Sequence, residues 1–540
     1  MKYVQKIDYK LLIIIIINLL LITFYFHQKT DFHGDEIYSF AHSNSRQGPY
    51  MVPNMNSFII DTEHQLYNKT HPASFFSNYV TVSPEHRFNY KQVIDNLSAG
   101  VHPPFYYLIL HTISSFFPET FNKWMAFPIN IIALTFSIFF LYKIASHIFE
   151  DKKLCYLSVI LFGFSLITLS MAVFIRSYTL QTMLINWLIY EHLRLLKSNH
   201  LSVKQALTIF ILSFLCYSTH YYLIIAVFFI ASFTCLILLI NKKIKIIFSY
   251  APTVLTSIIL FLPIMTNALY NSSRGHELTN MKFDYFLLYF EKILSKIGDF
   301  IITKILPFND FFGSLILVCL ILAASFVKMS PYRPKINRNF IYIIFYTLPY
   351  IITITIIHPL LHISEERYFA PLTPTLCIII IYSAWIFLRA TNISDKIINY
   401  VLATLVLCNV FMTDFYNRSN FSFRTTQEDA KILAKLNGKK IVLLSSSHFD
   451  ITNLVNNFKN SEYVKIIERR NIEDFINLII TAKEDYAIIT NSMVSKNNTI
   501  SSSKLFNNTI THNLQYIKTF KRGLYYYELY KINDTTKSSL

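Results

Sequence analysis

The sequence predicts a polytopic α-helical membrane protein with a small α/β domain in its C-terminal part. Of its 540 residues, 53% are hydrophobic and only 15% are charged, whereas soluble domains contain about 25% charged residues. Apolar runs recur from Leu11 to about Phe415, and they are long enough to cross a hydrocarbon core of roughly 30 Å. After about Asn417 the long runs give way to short strand-like patterns, which indicate a separate domain.

The net charge of +17 follows membrane topology and does not indicate nucleic acid. Lys and Arg cluster at every second loop, as at 242–245 and 328–338, and cytoplasmic loops collect these residues. The six cysteines fall inside predicted spans and none has CxxC spacing, so we predict neither disulfides nor a thiolate metal site. The first span follows a basic start without a small-residue cleavage site. We therefore expect an uncleaved anchor with a cytoplasmic N-terminus.

About eleven membrane spans follow when the lysine-rich loops are placed inside the cell. The predicted spans are 11–27, 124–149, 154–173, 178–196, 205–220, 221–240, 246–265, 308–327, 340–357, 369–389 and 397–415. The apolar segment 104–117 covers only about 20 Å as a helix, and counting it as a span would invert every later loop against the charge rule. We expect it to lie in the membrane interface or to pack against the bundle.

The domain organisation follows from these spans. Residues 1–415 form the transmembrane domain, within which 28–123 is a long first extracytoplasmic loop with juxtamembrane helices. Residues 416–532 form an extracytoplasmic α/β domain, and 533–540 are a disordered tail. The predicted strands of that domain are 440–444, 464–467, 486–489 and a hairpin over 516–530, with a helix near 451–458.

Two motifs in the first loop contain candidate catalytic residues. Asp35 and Glu36 follow the first span, and a carboxylate near the water boundary can accept a proton or hold a divalent cation. Adjacent residues do not share a helix face, so at most one of them points into a given site. His102 precedes two prolines that place it at the start of a helix, where its ring could bind phosphate, orient a carboxylate or ligate a metal. The alternatives are hydrated carboxylates that end the span and a simple helix-entry turn.

Three cationic or titratable residues lie at predicted outer turns. Arg176 and Arg367 adjoin apolar runs, where an unpaired charge is costly and often functional. The guanidinium fork suits phosphate. The alternative for Arg367 is a local ion pair or snorkelling, and His220 with its neighbouring tyrosines is also typical of a membrane interface. No HExxH, GxSxG, P-loop or GxGxxG motif stands in a plausible context, which argues against a standard hydrolase and an ATP-driven pump.

Taken in order, these motifs resemble the GT-C membrane glycosyltransferases. The similarity is to the bacterial branch related to protein O-mannosyltransferases and the lipid A aminoarabinose transferase. Five landmarks in order over about 370 residues carry it. They are Gly34-Asp35-Glu36, His102-Pro103-Pro104-Phe105-Tyr106-Tyr107-Leu108, Arg176-Ser177-Tyr178-Thr179-Leu180, Thr219-His220-Tyr221-Tyr222, and Arg367-Tyr368-Phe369-Ala370-Pro371 followed by Pro374.

The resemblance implies transfer of a sugar from a polyprenyl-phosphate carrier to a glycan, lipid or protein acceptor, on the outer face of the bacterial inner membrane. It makes Asp35 the base, with Glu36 and His102 as further catalytic residues. Arg176, Arg367 and His220 would bind the carrier phosphate, and direct displacement would invert the sugar carbon. Some relatives use a divalent metal, which leaves Mg or Mn on Asp35, Glu36 and His102 open.

Two departures from the family pattern concern acidic residues. Related chains commonly have an acid two positions before the His-Pro-Pro motif, where this chain has Gly100, and a Glu two positions before the turn arginine, where it has Phe174. The chain does without these acids or recruits others, such as Asp95 or Glu366. Two other functions stay open: a lipid-carrier flippase or transporter, and a non-catalytic envelope assembly protein. The absence of an internal repeat disfavours the transporter.

Overall fold

The computed structural model describes residues 8–46, 66–98, 102–271, 297–298, 300–306, 336–357, 366–412, 427–445, 447–481, 483–492, 513–522 and 525–533. The chain divides into two compact units. Unit 1 comprises Met1–Phe26 and Phe127–Phe421, and unit 2 comprises His27–Ala126 and Ser422–Leu540.

The α-helices are numbered in chain order. The first twelve are α1 (Tyr9–Gln28), α2 (Gly34–Asn44), α3 (Ala73–Val80), α4 (Tyr90–Ser98), α5 (Phe105–Ser115), α6 (Phe127–Ala145), α7 (Lys152–Gly163), α8 (Leu166–Val173), α9 (Tyr178–Lys197), α10 (Val203–Thr219), α11 (Tyr222–Ile240) and α12 (Ile244–Asn271). The others are α13 (Arg338–Ile357), α14 (Glu366–Phe369), α15 (Thr373–Ala390), α16 (Asp395–Phe411), α17 (Gln427–Leu433), α18 (His448–Thr452), α19 (Val455–Phe458) and α20 (Ile472–Ile480).

Unit 1 is a helical bundle with the lengths and composition of a membrane domain. Within the described residues, six helical segments are long and apolar enough to cross a membrane, or seven if the bent pair α7 and α8 is one span. The six are Tyr9–Gln28, Lys123–Ala145, Tyr222–Ile240, Ile244–Ile264, Arg338–Ile356 and Arg367–Ala390. The polytopic helical class is thereby confirmed. The predicted spans 178–196 and 205–220 correspond to α9 and α10, and 397–415 corresponds to α16 as far as Phe411. Residues 413–415 and the predicted span 308–327 lie outside the described residues. The count of eleven stays a prediction.

The predicted span 154–173 is not one straight helix. It breaks between α7 and α8, which are bent by 53°, and the Ser165 hydroxyl caps the second helix by accepting from Thr168 N–H. A break frees main-chain carbonyls that a hydrocarbon core cannot hydrate. Asn18, fully buried inside the apolar helix α1, donates to the carbonyl of Gly163 at 2.5 Å. This bond accounts for a polar residue in the first span.

Unit 2 is built on a six-stranded mixed sheet in the order β1-β3-β2-β4-β6-β5. The strands are β1 (Lys69–Pro72), β2 (Lys440–Ser445), β3 (Tyr463–Glu468), β4 (Tyr486–Ser492), β5 (Leu514–Arg522) and β6 (Tyr525–Ile532). The central strands β3, β2 and β4 are parallel, and the other pairs are antiparallel. All four predicted strand regions are found, but the first loop adds a strand, because β1 pairs with β3 in the register Lys69 to Ile466.

The core of unit 2 lies between the sheet and the amphipathic helix α20. Buried Val442 and Leu444 of β2 pack with Phe475 and Ile479 of α20, as expected for parallel strands covered by helices. The predicted helix near 451–458 is divided into α18 and α19. Helix α5 lies in unit 2 and has 11 residues, or about 16 Å, so it is too short to span a bilayer. Its place at the membrane interface stays a prediction.

Candidate functional site

The predicted acidic pair opens helix α2 of unit 2, and a capping box fixes it there. The ring of His33 accepts a hydrogen bond from Asp35 N–H at 3.1 Å, and the Glu36 carboxylate accepts from His33 N–H at 2.7 Å. Such reciprocal bonds satisfy two of the main-chain donors that a helix start leaves free. The first turn of α2 is therefore rigidly defined by the sequence His33 to Glu36.

The two carboxylates have different surroundings. Glu36 Oε2 lies 2.8 Å from Lys29 Nζ, and both side chains are nearly inaccessible, at 0% and 2% exposure. Asp35 keeps 26% of its side chain exposed, with Oδ2 3.7 Å from His33 Nδ1. That contact is not an ion pair in this geometry, because Nδ1 accepts the Asp35 N–H and so carries no proton. Glu36 is thus committed to structure, whereas Asp35 presents an accessible carboxylate.

His102 packs against the other end of α2. Its ring centroid lies 5.7 Å from that of His42 and 6.0 Å from that of Tyr107. His42 follows Asp35 by seven residues, about 10 Å along the helix axis, so α2 carries Asp35 on its first turn and contacts His102 near its last. Buried His42 is a residue that sequence reasoning missed. Its i+7 spacing from Asp35, which returns to the same helix face, was the available signal.

In unit 1, Arg176 lies in the turn between α8 and α9, and Asn130 of α6 holds that turn in place. Asn130 Nδ2 donates to the carbonyls of Ala172 and Phe174, at 2.9 and 3.0 Å, and its Oδ1 accepts from the Thr179 hydroxyl at 2.9 Å. Arg176 is 9% exposed. A nearly buried guanidinium on a braced turn is pre-organised for an anionic group. Asn130 also escaped the sequence reasoning, because its partners lie more than 40 residues away.

His220 ends α10, and its ring has a defined tautomer. Its Nδ1 accepts a hydrogen bond from Tyr222 N–H at 3.2 Å. Because an accepting nitrogen carries no proton, the proton of the neutral ring is on Nε2, which can donate to an oxygen. The ring also contacts Tyr222 and Tyr368, with centroids 5.0 and 5.8 Å apart. These contacts fix the plane in which that donor points.

Arg367 meets the same group of aromatic rings. Its guanidinium carbon is 5.3 Å from the Tyr368 ring centroid, a cation–π distance. Tyr368 contacts Tyr178, which follows the Arg176 turn, at 6.4 Å, and its carbonyl accepts from the Tyr350 hydroxyl at 2.8 Å. The structure thus gathers His220, Arg367 and the start of α9 around Tyr368. The aromatic residues of this group were not predicted as part of the site.

In the part of the chain that the structure describes, the three suggested ligands do not form a site for the divalent metal left open above. Within the described residues, no group of three or more His, Cys, Asp or Glu side chains could hold a metal ion. Glu36, one of the three suggested ligands, is bound to Lys29 and to the capping N–H. The chemistry proposed below therefore uses protein groups alone.

Two solved structures similar to this chain are of ArnT from Cupriavidus metallidurans. The apo-state structure has a TM-score of 0.47 and 10% identity, over 85% of this chain and 93% of that chain. The structure bound to undecaprenyl phosphate has a TM-score of 0.48 and 10% identity, over 98% of this chain and 99% of that chain. ArnT is a GT-C lipid A aminoarabinose transferase, the type of enzyme that the motifs resemble. At 10% identity and TM-scores below 0.5, neither likeness assigns an activity or a ligand to this chain.

No family model matches the chain, and no curated protein matches it either.

Proposed function

We propose that this protein is a membrane glycosyltransferase that moves a sugar from a polyprenyl-phosphate carrier to an acceptor hydroxyl or amine. The observation that carries the proposal is the division of roles within Asp35-Glu36. Glu36 is buried with Lys29 and caps α2, which leaves Asp35 accessible on a rigid first turn. A general base needs such a carboxylate, because it must reach a substrate proton while its own position is fixed.

The proposed reaction is a direct displacement. Asp35 takes the proton of the acceptor O–H or N–H as the acceptor atom forms a bond to the anomeric carbon. The bond between that carbon and the phosphate oxygen breaks, and the electron pair leaves with the polyprenyl phosphate. Attack opposite the leaving group inverts the sugar carbon. Positive charge from Arg176 and Arg367, with the Nε2–H of His220, stabilises the charge that develops on the phosphate.

The surroundings of the two arginines support their proposed role in stabilising the leaving phosphate. Arg367 lies over the ring of Tyr368, and Arg176 is nearly buried in a turn that leads into Tyr178. Low-polarity surroundings strengthen the attraction of a guanidinium for phosphate. The same proposal places the reaction on the outer face of the bacterial inner membrane and gives it a role in envelope glycosylation. The acceptor class, whether glycan, lipid or protein, is left to experiment.

The test is transfer of label from radiolabelled polyprenyl-phosphate sugars, with purified full-length protein and crude envelope as the source of acceptors. We expect the wild type to move label to an acceptor and Asp35→Asn to fail, while the exposed-carboxylate control Glu85→Gln transfers normally. Each preparation is checked for folding by size exclusion. Equal transfer by Asp35→Asn and the wild type would refute the role of Asp35.

Carrier binding is measured on the same preparations. If a panel of donor sugars is tested and the wild type binds the carrier tightly without transfer, the chain is a carrier-binding protein or a flippase. If neither binding nor transfer occurs, the transferase proposal fails and the result favours a non-catalytic role in envelope assembly.

A further inference from the structure

The start of α2 is in contact with the segment 449–456, which lies more than 400 residues further along the chain. The hydroxyl groups of Thr452 and Tyr38 are hydrogen-bonded to each other, with 3.2 Å between their oxygens, and Asn456 Nδ2 donates to Asp31 Oδ1 at 3.1 Å. Tyr38 also meets the ring of Phe449 edge-on, with centroids 6.0 Å apart. All of these residues belong to unit 2. Contacts therefore lie on both sides of Asp35, at Asp31 before it and at Tyr38 after it.

Asn453 lies directly against Gly34, the residue before Asp35. A Cβ atom placed on Gly34 would be 2.8 Å from Asn453 Oδ1, closer than side chains pack. Only glycine at this position permits the amide to lie against the helix start.

The Asn453 amide is itself held in place by a tyrosine of the sheet. Its Nδ2 donates to Tyr527 OH at 3.2 Å, and that hydroxyl donates to the Asp450 carbonyl at 2.9 Å. Tyr527 is fully buried on β6. The amide therefore cannot turn away from Gly34 without losing a buried hydrogen bond.

Asp450 ties this segment to the central strands. Its fully buried carboxylate accepts from the Ser445 hydroxyl of β2 at 2.6 Å and from the Thr490 hydroxyl of β4 at 2.5 Å. A chain of hydrogen bonds thus runs from two parallel strands through Asp450 and Tyr527 to Asn453, and the Asn453 amide packs against Gly34 at the first turn of α2. Interlocked hydrogen bonds in a buried setting rigidify the groups that they join.

We propose that the segment 449–456 positions Asp35, with Asn453 and Thr452 as positioning residues for the reaction. This inference rests on the proposed function and gives the C-terminal sheet a role in catalysis. The sheet holds the segment 449–456, and that segment fixes the position and orientation of the first turn of α2. Because a misplacement of about 1 Å can cost 100-fold in rate, a loss of this contact lowers turnover more than substrate affinity.

The test is a reciprocal pair of substitutions. Gly34→Ala adds the Cβ that collides with Asn453, and because that amide is fixed, the first turn of α2 moves. We expect kcat to fall about tenfold with KM for the donor within about twofold of wild type. Adding Asn453→Ala to Gly34→Ala removes the colliding atom and restores kcat to the level of Asn453→Ala alone, which lies between Gly34→Ala and the wild type because the positioning contact is missing. Lys440→Ala, whose exposed side chain pairs only with Glu462 among the ion pairs of the described residues, is the control and is expected to match the wild type.

A second measurement does not depend on activity. In a background that lacks the six native cysteines, Asp35→Cys reports the position of residue 35 through its rate of alkylation by a small charged reagent. We expect Gly34→Ala to change the alkylation rate at least about threefold, because the accessibility and the local electric field of the thiol both change. Adding Asn453→Ala to Gly34→Ala is expected to return the rate toward that of the Asp35→Cys protein without either substitution.

The outcomes separate the two proposals. An unchanged alkylation rate in Gly34→Ala, or a double variant no better than Gly34→Ala in both assays, overturns the positioning role. A wild type that transfers no sugar while the alkylation rates change and recover overturns the transferase function and leaves the positioning contact established.

Discussion

The strongest single prediction concerns Glu36, which belongs to the motif of a catalytic base yet is built into the fold. Its Oε2 accepts hydrogen bonds from the Lys29 ammonium at 2.8 Å and from His33 N–H at 2.7 Å. Glu36→Gln keeps an oxygen for the cap but leaves the Lys29 ammonium buried without its counter-charge. The prediction is that this substitution acts first on stability and only through stability on activity.

The size of the effect follows from burial. Breaking a buried ion pair by removing one partner costs about 3–5 kcal/mol, whereas replacing both charges with apolar or neutral groups is often neutral. The two side chains are 2% and 0% exposed, so the full cost applies. The comparison is Glu462→Gln, which breaks the ion pair between Lys440 and Glu462. Because these side chains are 41% and 53% exposed, the substitution is expected to lower the free energy of unfolding by about 0–1 kcal/mol.

The assay is the midpoint of thermal unfolding of the purified full-length protein, followed by size exclusion with fluorescence detection. Glu36→Gln and Lys29→Met are each expected to lower the midpoint strongly, and the double variant to recover most of the loss, with turnover per folded molecule near that of the wild type. A double variant as unstable as the sum of the two singles would refute the buried-pair reasoning. Glu36→Gln with an unchanged midpoint and abolished transfer would show that Glu36 acts in the chemistry.

Three further predictions concern the phosphate, pH and lipid. Arg367→Ala should lower turnover about 100-fold while abundance stays the same, whereas Arg338→Ala, at an exposed helix start, should lower neither in the transfer assay. Burial lowers the pKa of His71 on β1, so the stability it contributes is present above its ordinary pKa of about 6.5 and is lost as the pH falls below that value. The drop in unfolding midpoint from about pH 7.5 to about pH 5.5 should therefore be smaller in His71→Gln. If the end of α5 lies at the membrane interface, Phe116→Trp, at a site 61% exposed, should be quenched by brominated lipid beyond the signal of the three native tryptophans. Tyr526→Trp on the sheet should not be quenched, and equal quenching of both would contradict the interfacial placement.

Much of the secondary structure could be predicted from local patterns. The apolar run that became α1 and the strand patterns at 440–444 and 486–489 lie within a few residues of the observed elements. Helix and strand periodicity are properties of neighbouring residues, so they are readable without knowledge of partners. The bend after Gly163 was not predicted, because the bond that compensates it comes from Asn18, 145 residues earlier.

The candidate site divides in the same way. Asp35, His102 and Arg176 stand out by type and motif, and the adjacency of Asp35 to Glu36 already implies that they face different ways. Which of the two is accessible depended on Lys29, seven residues away in sequence, and on a capping geometry that the chain adopts only once α2 forms. Tyr178, Tyr222 and Tyr368 belong to the quoted motifs, but their rings come from separate helices, so local sequence could not predict that they meet.

The sequence by itself determined the membrane-spanning helical class, the strand-forming C-terminal segment and the residue types able to handle a proton and a phosphate, because composition, run length and periodicity are local. Only the tertiary structure decided that Glu36 is buried against Lys29 while Asp35 stays accessible. The same holds for Lys69–Pro72, which joins a sheet formed by strands some 400 residues later, and for Asn453, which lies against Gly34. Such contacts depend on how whole helices and strands pack against one another. The local sequence patterns between two distant partners do not specify that packing.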